Sequence, residues 1–316
     1  MSGAPGRPSR VTVVEVGPRD GLQNEKSIVG AAVKADLIRR RAGAGLPVVE
    51  AGAFVSPARV PQMADTAEVL ALLEPRPAVS LPVLVPNRRG LEAALEAGAR
   101  EIALFVSASE GFSQRNIACS RAESLARLSD VAALARSSRV AMRGYVSCVI
   151  ACPYDGPQDP AATVEMVKGL VDLGCGEISL GDTIGVGTAD SVRRVIDRVA
   201  RHLPRDRIAM HFHDTYGQAV ANVLASLEEG IAVFDSSVAG LGGCPFAVGA
   251  TGNLATEDLL FLLDGLGIET GVDLAEVVRI GTWISGQLGR ANASRAGRAL
   301  AAAAGGQTGS GPMAKG

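Results

Sequence analysis

The feature that most constrains the fold is a repeated alternation of short apolar runs with helical segments. Eight runs of β type follow one another along the chain, beginning at Val11, Pro47, Val79, Glu101, Ala141, Glu177, Arg207 and Val233. Helical spacing of apolar residues separates the later runs, as in Val192, Val195, Ile196, Val199 and Leu203. Strands that alternate with helices indicate a parallel sheet with helical crossovers.

Eight strand-helix units predict an α/β fold, a closed (β/α)₈ TIM barrel, in preference to an open sheet of flavodoxin or Rossmann type. Two further helical segments, at 254–265 and 275–288, are expected to follow the eighth strand. We therefore expect a flexible N-terminus at 1–10, one barrel domain at 11–290 and a C-terminal extension at 291–316. Residues 301–316 are low in complexity, and the extension is expected to be flexible.

Composition excludes several classes of partner. The net charge is −2 and the isoelectric point is about 6.0, so a nucleic acid or an anionic membrane is not expected as a partner. An apolar run long enough to span a membrane does not occur. Five cysteines without disulfide spacing, and a start without an apolar leader, predict a cytoplasmic protein with free thiols.

Polar residues stand where the predicted strands end, which is where barrel enzymes carry their active sites. His211 and His213 lie two apart on one strand, so their imidazoles point to the same face. This pattern predicts a metal pair, and the alternative is a pair of buried, hydrogen-bonded histidines. Asp20 and Asn253 are candidate oxygen ligands, which favours Mg²⁺ or Mn²⁺ and leaves Zn²⁺, Co²⁺ and Fe²⁺ open.

Three charged residues at other strand ends complete the candidate site. Arg19 offers planar cationic donors for a carboxylate or a developing enolate. Glu50 lies in an apolar strand and needs a partner, either Arg19 or the metal ligands. Asp182 is likewise too polar for a strand end without a function, whereas Cys244, in a glycine-rich loop, is either a reactive thiol or a small residue tolerated in a turn.

Five stretches together resemble the 3-hydroxy-3-methylglutaryl-CoA (HMG-CoA) lyase family of the DRE-type metallolyase superfamily. They are VGPRDGLQNEK (16–26), FVSPARVPQM (54–63), SLGDTIGVG (179–187), HFHDTYGQ (211–218) and GLGGCPFAVGATGNLATED (240–258). The resemblance runs from about Val11 to Leu266 and implies a TIM barrel that cleaves HMG-CoA to acetyl-CoA and acetoacetate by a metal-dependent retro-Claisen reaction. It also implies an acyl-CoA substrate, a homodimer, and a setting in leucine degradation and ketone-body formation.

The resemblance implies a role for each matching residue. A divalent cation, Mg²⁺ or Mn²⁺, is held by the residues matching Asp20, His211, His213 and Asn253. Arg19 assists the enolate and Cys244 is a catalytic thiol, while Glu50 and Asp182 are needed for catalysis. Arg19, Thr183 and Gly243 are the predicted substrate-binding residues. The base is Asp182 or a metal-binding histidine, and the glycines are expected to let the loop close over the substrate.

The sequence departs from the usual pattern of this family in three places. Gly52 and Ala53 replace a Thr-Ser pair, Phe246 replaces a tyrosine, and Gly111-Phe112 occupy a variable stretch. Lost hydroxyls near the pocket would alter hydrogen bonding to the acyl group, so a longer or differently substituted 3-hydroxyacyl-CoA is the alternative substrate. Two rival functions are a Claisen-condensing synthase of the superfamily and a barrel that binds metal or acyl-CoA without catalysis.

Overall fold

The computed structural model describes residues 6–74, 78–243 and 252–307. Its strands are β1 Thr12–Glu15, β2 Val48–Val49, β3 Gly52–Ala53, β4 Val83–Leu84, β5 Glu101–Ser107, β6 Ala141–Ser147, β7 Ala151–Cys152, β8 Gly156–Pro157, β9 Glu177–Asp182, β10 Ile208–Phe212 and β11 Val233–Ser236. Its helices are α1 Ala31–Gly43, α2 Thr66–Ala71, α3 Arg88–Glu96, α4 Glu110–Ile117, α5 Arg121–Ser137, α6 Pro160–Asp172, α7 Ala189–Ala200, α8 Ala219–Glu228, α9 Thr256–Gly265, α10 Leu274–Leu288 and α11 Arg295–Gln307.

The main sheet is parallel throughout and forms the predicted TIM barrel. Its order is β2-β1-β11-β10-β9-β6-β5-β4-β3. Because β2 and β3 are consecutive pieces of one strand, the two ends of this order meet and give eight barrel strands. Backbone hydrogen bonds complete the junction, from Glu50 N to Glu15 O and from Ala51 N to Pro82 O, both 2.9 Å. The predicted strands are thus confirmed, and β7 and β8 form a separate small hairpin.

Burial explains why these segments take their predicted forms. The inner strands are almost wholly buried, as expected for a parallel sheet covered by helices. On α7 the residues at helical spacing that face the barrel, Val192, Val195, Ile196 and Val199, are all buried. Among the described residues, no helix is both long and apolar enough to cross a membrane.

The two ends of the chain differ from the prediction of flexible extensions. Arg10 pairs with Glu269 in a β-bridge, so the N-terminal segment already joins the barrel there. Residues Arg295–Gln307 form α11, which packs on α9 and α10. The prediction of a flexible tail from residue 291 is therefore wrong for this helix, because its alanines and Leu300 are good helix formers that can pack on another helix. Residues 308–316 lie outside the described part of the chain.

Candidate active site

A cavity of about 780 Å³ opens at the carboxyl end of the barrel strands. This is the end at which barrel enzymes place their chemistry. Five polar residues line its floor: Arg19, Asp20, Tyr145, His211 and His213. Arg19 and Asp20 lie in a single π-helical turn, Gly17–Gly21, which leaves β1 directly into the cavity.

Asp20, His211 and His213 form a compact cluster of three donors. One ligand atom from each lies within 4.8 Å of the others. Nε2 of His213 is 4.0 Å from Oδ2 of Asp20, and the two imidazole centroids are 5.3 Å apart. The strand alternation at β10 thus brings both imidazoles to the same carboxylate, as the sequence predicts.

Asn253 lies at the edge of this cluster. Its side-chain Nδ2 donates to Asp20 Oδ2 at 2.9 Å and to the carbonyl of Leu241 at 3.1 Å. A β-bridge to His213 fixes its backbone. Its Oδ1 is buried and has no hydrogen-bond partner among the described residues. An orphaned amide oxygen beside a carboxylate and two imidazoles is a donor set that suits a divalent cation.

The protonation states also suit cation binding. Burial alone would raise the pKa of Asp20, but Arg19 and the two histidines lower it to about 2. Burial, with the neighbouring His211, lowers the pKa of His213 to about 4. At neutral pH the cluster therefore offers an ionised carboxylate and a neutral imidazole, the forms in which these groups bind metal.

Asp235 on β11 orients His211 and was not singled out from the sequence. Its Oδ2 lies 3.2 Å from Nδ1 of His211 and accepts a 2.8 Å hydrogen bond from Ser179, while Oδ1 accepts a 2.7 Å bond from Arg143. Burial would lower the pKa of His211, but Asp235 reverses this and raises it. Because Nδ1 is engaged, Nε2 is the nitrogen left for the cavity. An acidic residue inside the apolar run from Val233 was the signal that could have found it.

Arg19 is a buried cation held by two carboxylates. Its Nε donates to Glu50 Oε2 at 2.6 Å and its Nη1 donates to Asp20 Oδ1 at 2.7 Å. Burial would lower its pKa, but Glu50 and Asp20 raise it well above the ordinary value. Glu50 is fully buried, and burial raises its pKa against the opposing effect of Arg19. The partner that the sequence required for Glu50 is therefore Arg19.

Tyr145 is a second residue that the sequence analysis missed. Its ring lies between two guanidinium groups, with its centroid 5.5 Å from Cζ of Arg19 and 4.9 Å from Cζ of Arg143. Its hydroxyl accepts a 2.6 Å hydrogen bond from Arg143 Nη1, and burial raises its pKa well above the ordinary value. Tyr145 therefore links Arg19 to the Arg143–Asp235 pair that supports His211.

Asp182 lies near the cluster, and its buried Oδ1 has no hydrogen-bond partner among the described residues. Its Oδ2 accepts a 2.8 Å hydrogen bond from the backbone of Gly187, and burial raises its pKa to about 6. The side chain braces the 185–187 loop, and Asp182 is not among the residues lining the cavity. Thr183 lines the cavity, where its hydroxyl accepts a 2.8 Å bond from Cys148 N. Gly243 also lines it, at the last described position before Cys244 and Phe246, which lie outside the described residues.

Other residues of the sequence analysis make local contacts. Asp214 accepts a 2.9 Å hydrogen bond from the backbone of Ala219, the first residue of α8. Cys148 and Cys152 are buried against Phe112 as packed residues of the core. Gly52 packs on Thr66 of α2, where an added Cβ would meet the threonine hydroxyl at 2.6 Å. Gly52 and its neighbour are not among the residues that line the cavity, and the loss of hydroxyls from the pocket stays a prediction.

Comparison with known proteins identifies the family. A family model described as HMGL-like matches residues 10–284. The chain belongs to the HMGL-like family. Among its relatives is "3-hydroxy-3-isohexenylglutaryl-CoA/hydroxy-methylglutaryl-CoA lyase" of Pseudomonas aeruginosa, 57% identical over 94% of this chain and 99% of the relative. Hydroxymethylglutaryl-CoA lyase of Pseudomonas mevalonii is 56% identical over 92% of this chain and 97% of that protein.

Solved structures of HMGL-like proteins share the fold. The crystal structure of hydroxymethylglutaryl-CoA lyase from Pseudomonas aeruginosa superimposes with a TM-score of 0.92 and 57% identity, covering 94% of this chain and 99% of that one. At 19% identity, the carboxyl transferase domain of Rhizobium etli pyruvate carboxylase gives a TM-score of 0.67, over 89% of this chain and 48% of that one. The second likeness concerns the fold alone.

Proposed function

We propose that this member of the HMGL-like family is a metal-dependent carbon-carbon lyase that cleaves HMG-CoA to acetyl-CoA and acetoacetate. The observation that carries the proposal is the meeting of Asp20, His211 and His213 with the buried cation of Arg19 on one cavity floor. The names of the relatives at 56–57% identity support the same reaction.

The donor set would hold Mg²⁺ or Mn²⁺ through Asp20, His211, His213 and the orphaned oxygen of Asn253. When bound, such a cation supplies Lewis-acid polarisation of substrate oxygens. Asp235 keeps one imidazole in the orientation that leaves its second nitrogen available.

The remaining chemistry falls to the side chains of the cavity floor. The substrate 3-hydroxyl gives its proton to a base, for which the candidates are Asp182, whose Oδ1 has no partner among the described residues, and a histidine of the metal cluster. The C2–C3 bond then breaks, its electron pair passes to the thioester as an enolate, and the 3-carbon becomes the ketone of acetoacetate. Arg19 lies at the floor to stabilise the enolate oxygen.

The enolate carbon must finally take up a proton to give acetyl-CoA. We propose that Cys244 donates this proton. An ordinary cysteine has a pKa of about 8.5, so its thiol carries a proton to donate at neutral pH. The proton taken from the hydroxyl later returns to the thiolate. Gly243, whose carbonyl accepts a 2.8 Å hydrogen bond from Asn24, brings the chain to the cavity just before this residue.

The test is an assay of the purified protein with HMG-CoA in the presence of Mn²⁺ or Mg²⁺, following acetoacetate. We expect turnover that EDTA abolishes and added Mn²⁺ restores. The Cys244→Ala variant should keep Mn²⁺ binding and lose at least about 100-fold in turnover. Absence of cleavage of every 3-hydroxyacyl-CoA offered would overturn the lyase assignment. Consumption of acetyl-CoA with a 2-oxo acid would indicate a condensing synthase.

A larger substrate at the same site is the second candidate function. Six apolar residues also line the cavity, together with polar ones such as Ser56 and Arg59: Val55, Val60, Leu84, Phe105, Phe112 and Ile117. The name of one relative includes an isohexenyl in addition to a methyl substrate. Apolar surface of this kind favours a 3-alkyl chain by about 0.8 kcal/mol for each CH₂ that it buries.

The methyl and isohexenyl thioesters, assayed side by side, separate the two candidates. A kcat/KM for the longer substrate within about 10-fold of that for HMG-CoA supports the dual activity, and absence of cleavage excludes it. The acyl-CoA partner is common to both candidates. A homodimer and a cytoplasmic location remain predictions, of which the first is checked by light scattering after size exclusion.

A further inference from the structure

A fully buried carboxylate lies directly behind the cavity floor, at the last residue of β1. One oxygen of this residue, Oε1 of Glu15, accepts two backbone hydrogen bonds, from Gly17 N and Val238 N, each of 2.9 Å. Gly17 opens the turn that carries Arg19, and Val238 opens the segment that leads from β11 to Gly243. A single oxygen therefore ties the loop after the first strand to the loop after the eighth.

The other oxygen faces a buried cation with unusual surroundings. Oε2 of Glu15 accepts a 2.9 Å hydrogen bond from the Thr256 hydroxyl and lies 3.5 Å from Nη1 of Arg41. Arg41, on α1, is fully buried, and within the described chain none of its three side-chain nitrogens has a hydrogen-bond partner. Burying a cation without such partners costs several kcal/mol, so its charge must be compensated by the nearby carboxylate.

A second buried carboxylate holds the same segment. Both oxygens of Glu257 accept from the backbone N–H of Ala239, at 3.1 and 2.9 Å. Ala239 has φ +55°, a left-handed conformation that costs a non-glycine residue about 1 kcal/mol or more. Glu15 and Glu257 thus hold the segment after β11 in a backbone conformation that is unfavourable without their hydrogen bonds.

The loop after β1 and the loop after β11 are in direct contact, so the distance between them affects the geometry of the site. A Cβ on Gly21 would lie 2.7 Å from Oγ of Ser237 and 2.9 Å from Cβ of Leu241, so the loops pack with no room for a side chain. Across the same contact Asn253 donates to both Asp20 and the carbonyl of Leu241. A shift of either loop would move the Asp20 and Asn253 oxygens relative to each other.

We propose that Glu15 is a positioning residue of the lyase site, with Arg41 as its buried counter-charge. By accepting from Gly17 and Val238 with one oxygen, it sets the distance between the loop that presents Arg19 and Asp20 and the loop that leads to Gly243. A role of Glu15 in catalysis rests on the proposed function, but its effect on the alignment of the loops can be measured without substrate.

The variants below separate the effect of the acceptor oxygen of Glu15 from the effect of its charge. Glu15→Ala removes both, whereas the double variant Glu15→Gln/Arg41→Met keeps an Oε1 acceptor of the same reach and removes the opposing charges together. Lys34→Met is the matched control, because Lys34 lies on the same helix α1, is buried, and is paired with Asp65 outside the site.

Mn²⁺ affinity, measured by electron paramagnetic resonance at a temperature where each variant is folded, is the main readout. We expect Glu15→Ala to weaken Mn²⁺ binding about 10- to 100-fold, the usual effect of losing a group that orients ligands. The double variant should return to within about 3-fold of wild type, and Lys34→Met should lose stability without a change in affinity. Hydrogen exchange at Gly17 and Val238 should accelerate in the alanine variant only.

Wild-type Mn²⁺ affinity in folded Glu15→Ala would overturn the proposal, as would failure of the double variant to recover. If the alanine variant does not fold, Glu15→Asp takes its place, since its carboxylate keeps the charge but falls one methylene short. Unchanged affinity in that variant also contradicts the proposal. If wild-type protein binds Mn²⁺ but cleaves no thioester, the proposed function fails while this inference is still decided by affinity and exchange.

Discussion

Two buried arginines, each opposite a glutamate near a barrel strand end, differ in what surrounds them. Arg19 donates to Glu50 and Asp20 through bonds of 2.6 and 2.7 Å, and these carboxylates raise its pKa. Arg41 lies 3.5 Å from Glu15, has no hydrogen-bond partner within the described ranges, and has a pKa lowered by burial.

The difference indicates that Arg19 takes part in the reaction, whereas Arg41 stabilises the structure. Two carboxylates hold Arg19 at the cavity floor by accepting hydrogen bonds from its Nε and Nη1. A cation fixed in this way can stabilise a developing negative charge. Arg41 is not among the described residues that line the cavity, and it serves as a counter-charge. The two arginines therefore predict opposite results in mutagenesis: loss of turnover for Arg19 and loss of stability for Arg41.

The largest expected effect comes from Arg19→Met. Removing a cation that stabilises a developing enolate should lower kcat about 10²- to 10³-fold, with KM changing less. Arg41→Met should instead lower the free energy of unfolding by about 3–5 kcal/mol, because Glu15 loses its counter-charge, and keep kcat within about 10-fold. Steady-state kinetics and urea unfolding of both variants measure this. Equal losses of turnover would break the comparison.

A smaller effect is expected at Asp235, which supports the site by orienting the predicted metal ligand His211. Asp235→Asn keeps the shape of the side chain but weakens its hold on His211 and Arg143, so Mn²⁺ affinity should fall about 10- to 100-fold. Turnover should recover when Mn²⁺ is raised to saturation. Ser179→Ala, which removes one 2.8 Å hydrogen bond to the same carboxylate, is the matched milder change and should cost less than about 3-fold. An Asp235→Asn variant with unaltered Mn²⁺ titration would contradict the orienting role.

The last expected effect concerns the pH dependence of stability. Burial, opposed by Arg41, raises the pKa of Glu257 to about 7 from an ordinary value of 4.5. Between these values the folded state binds more protons than the unfolded one, so this group makes stability fall as pH rises from 4.5 to 7, by at most about 1.4 kcal/mol per pH unit. Glu257→Gln removes that contribution. The difference in unfolding free energy between the variant and wild type, measured from pH 5 to pH 8, should therefore vary with pH; a constant difference would rule out the titration.

The fold and the centre of the site could be predicted because both depend on local patterns. The eight strands follow from apolar runs with helical spacing between them, and the strand-end rule then selects Arg19, Asp20, His211 and His213. Asp235 escaped prediction because its partners His211, Ser179 and Arg143 come from other strands, and Tyr145 because its contact with Arg19 is far away in sequence. That Asp182 acts as the base stays a prediction; one of its oxygens turns to the backbone of Gly187, a contact that nothing in its own stretch indicates.

Local sequence patterns were sufficient for the order of elements, the closed barrel and the residue types that gather at its mouth, since periodicity and burial are properties of each segment alone. The pairing of each carboxylate with its arginine, by contrast, emerges only in the folded barrel. Glu50 and Glu15 both end short apolar runs, yet one meets Arg19 on the cavity floor and the other meets Arg41 beneath it. Hydrogen bonds and ion pairs depend on a few ångströms between distant segments, and those distances exist only once the barrel has closed.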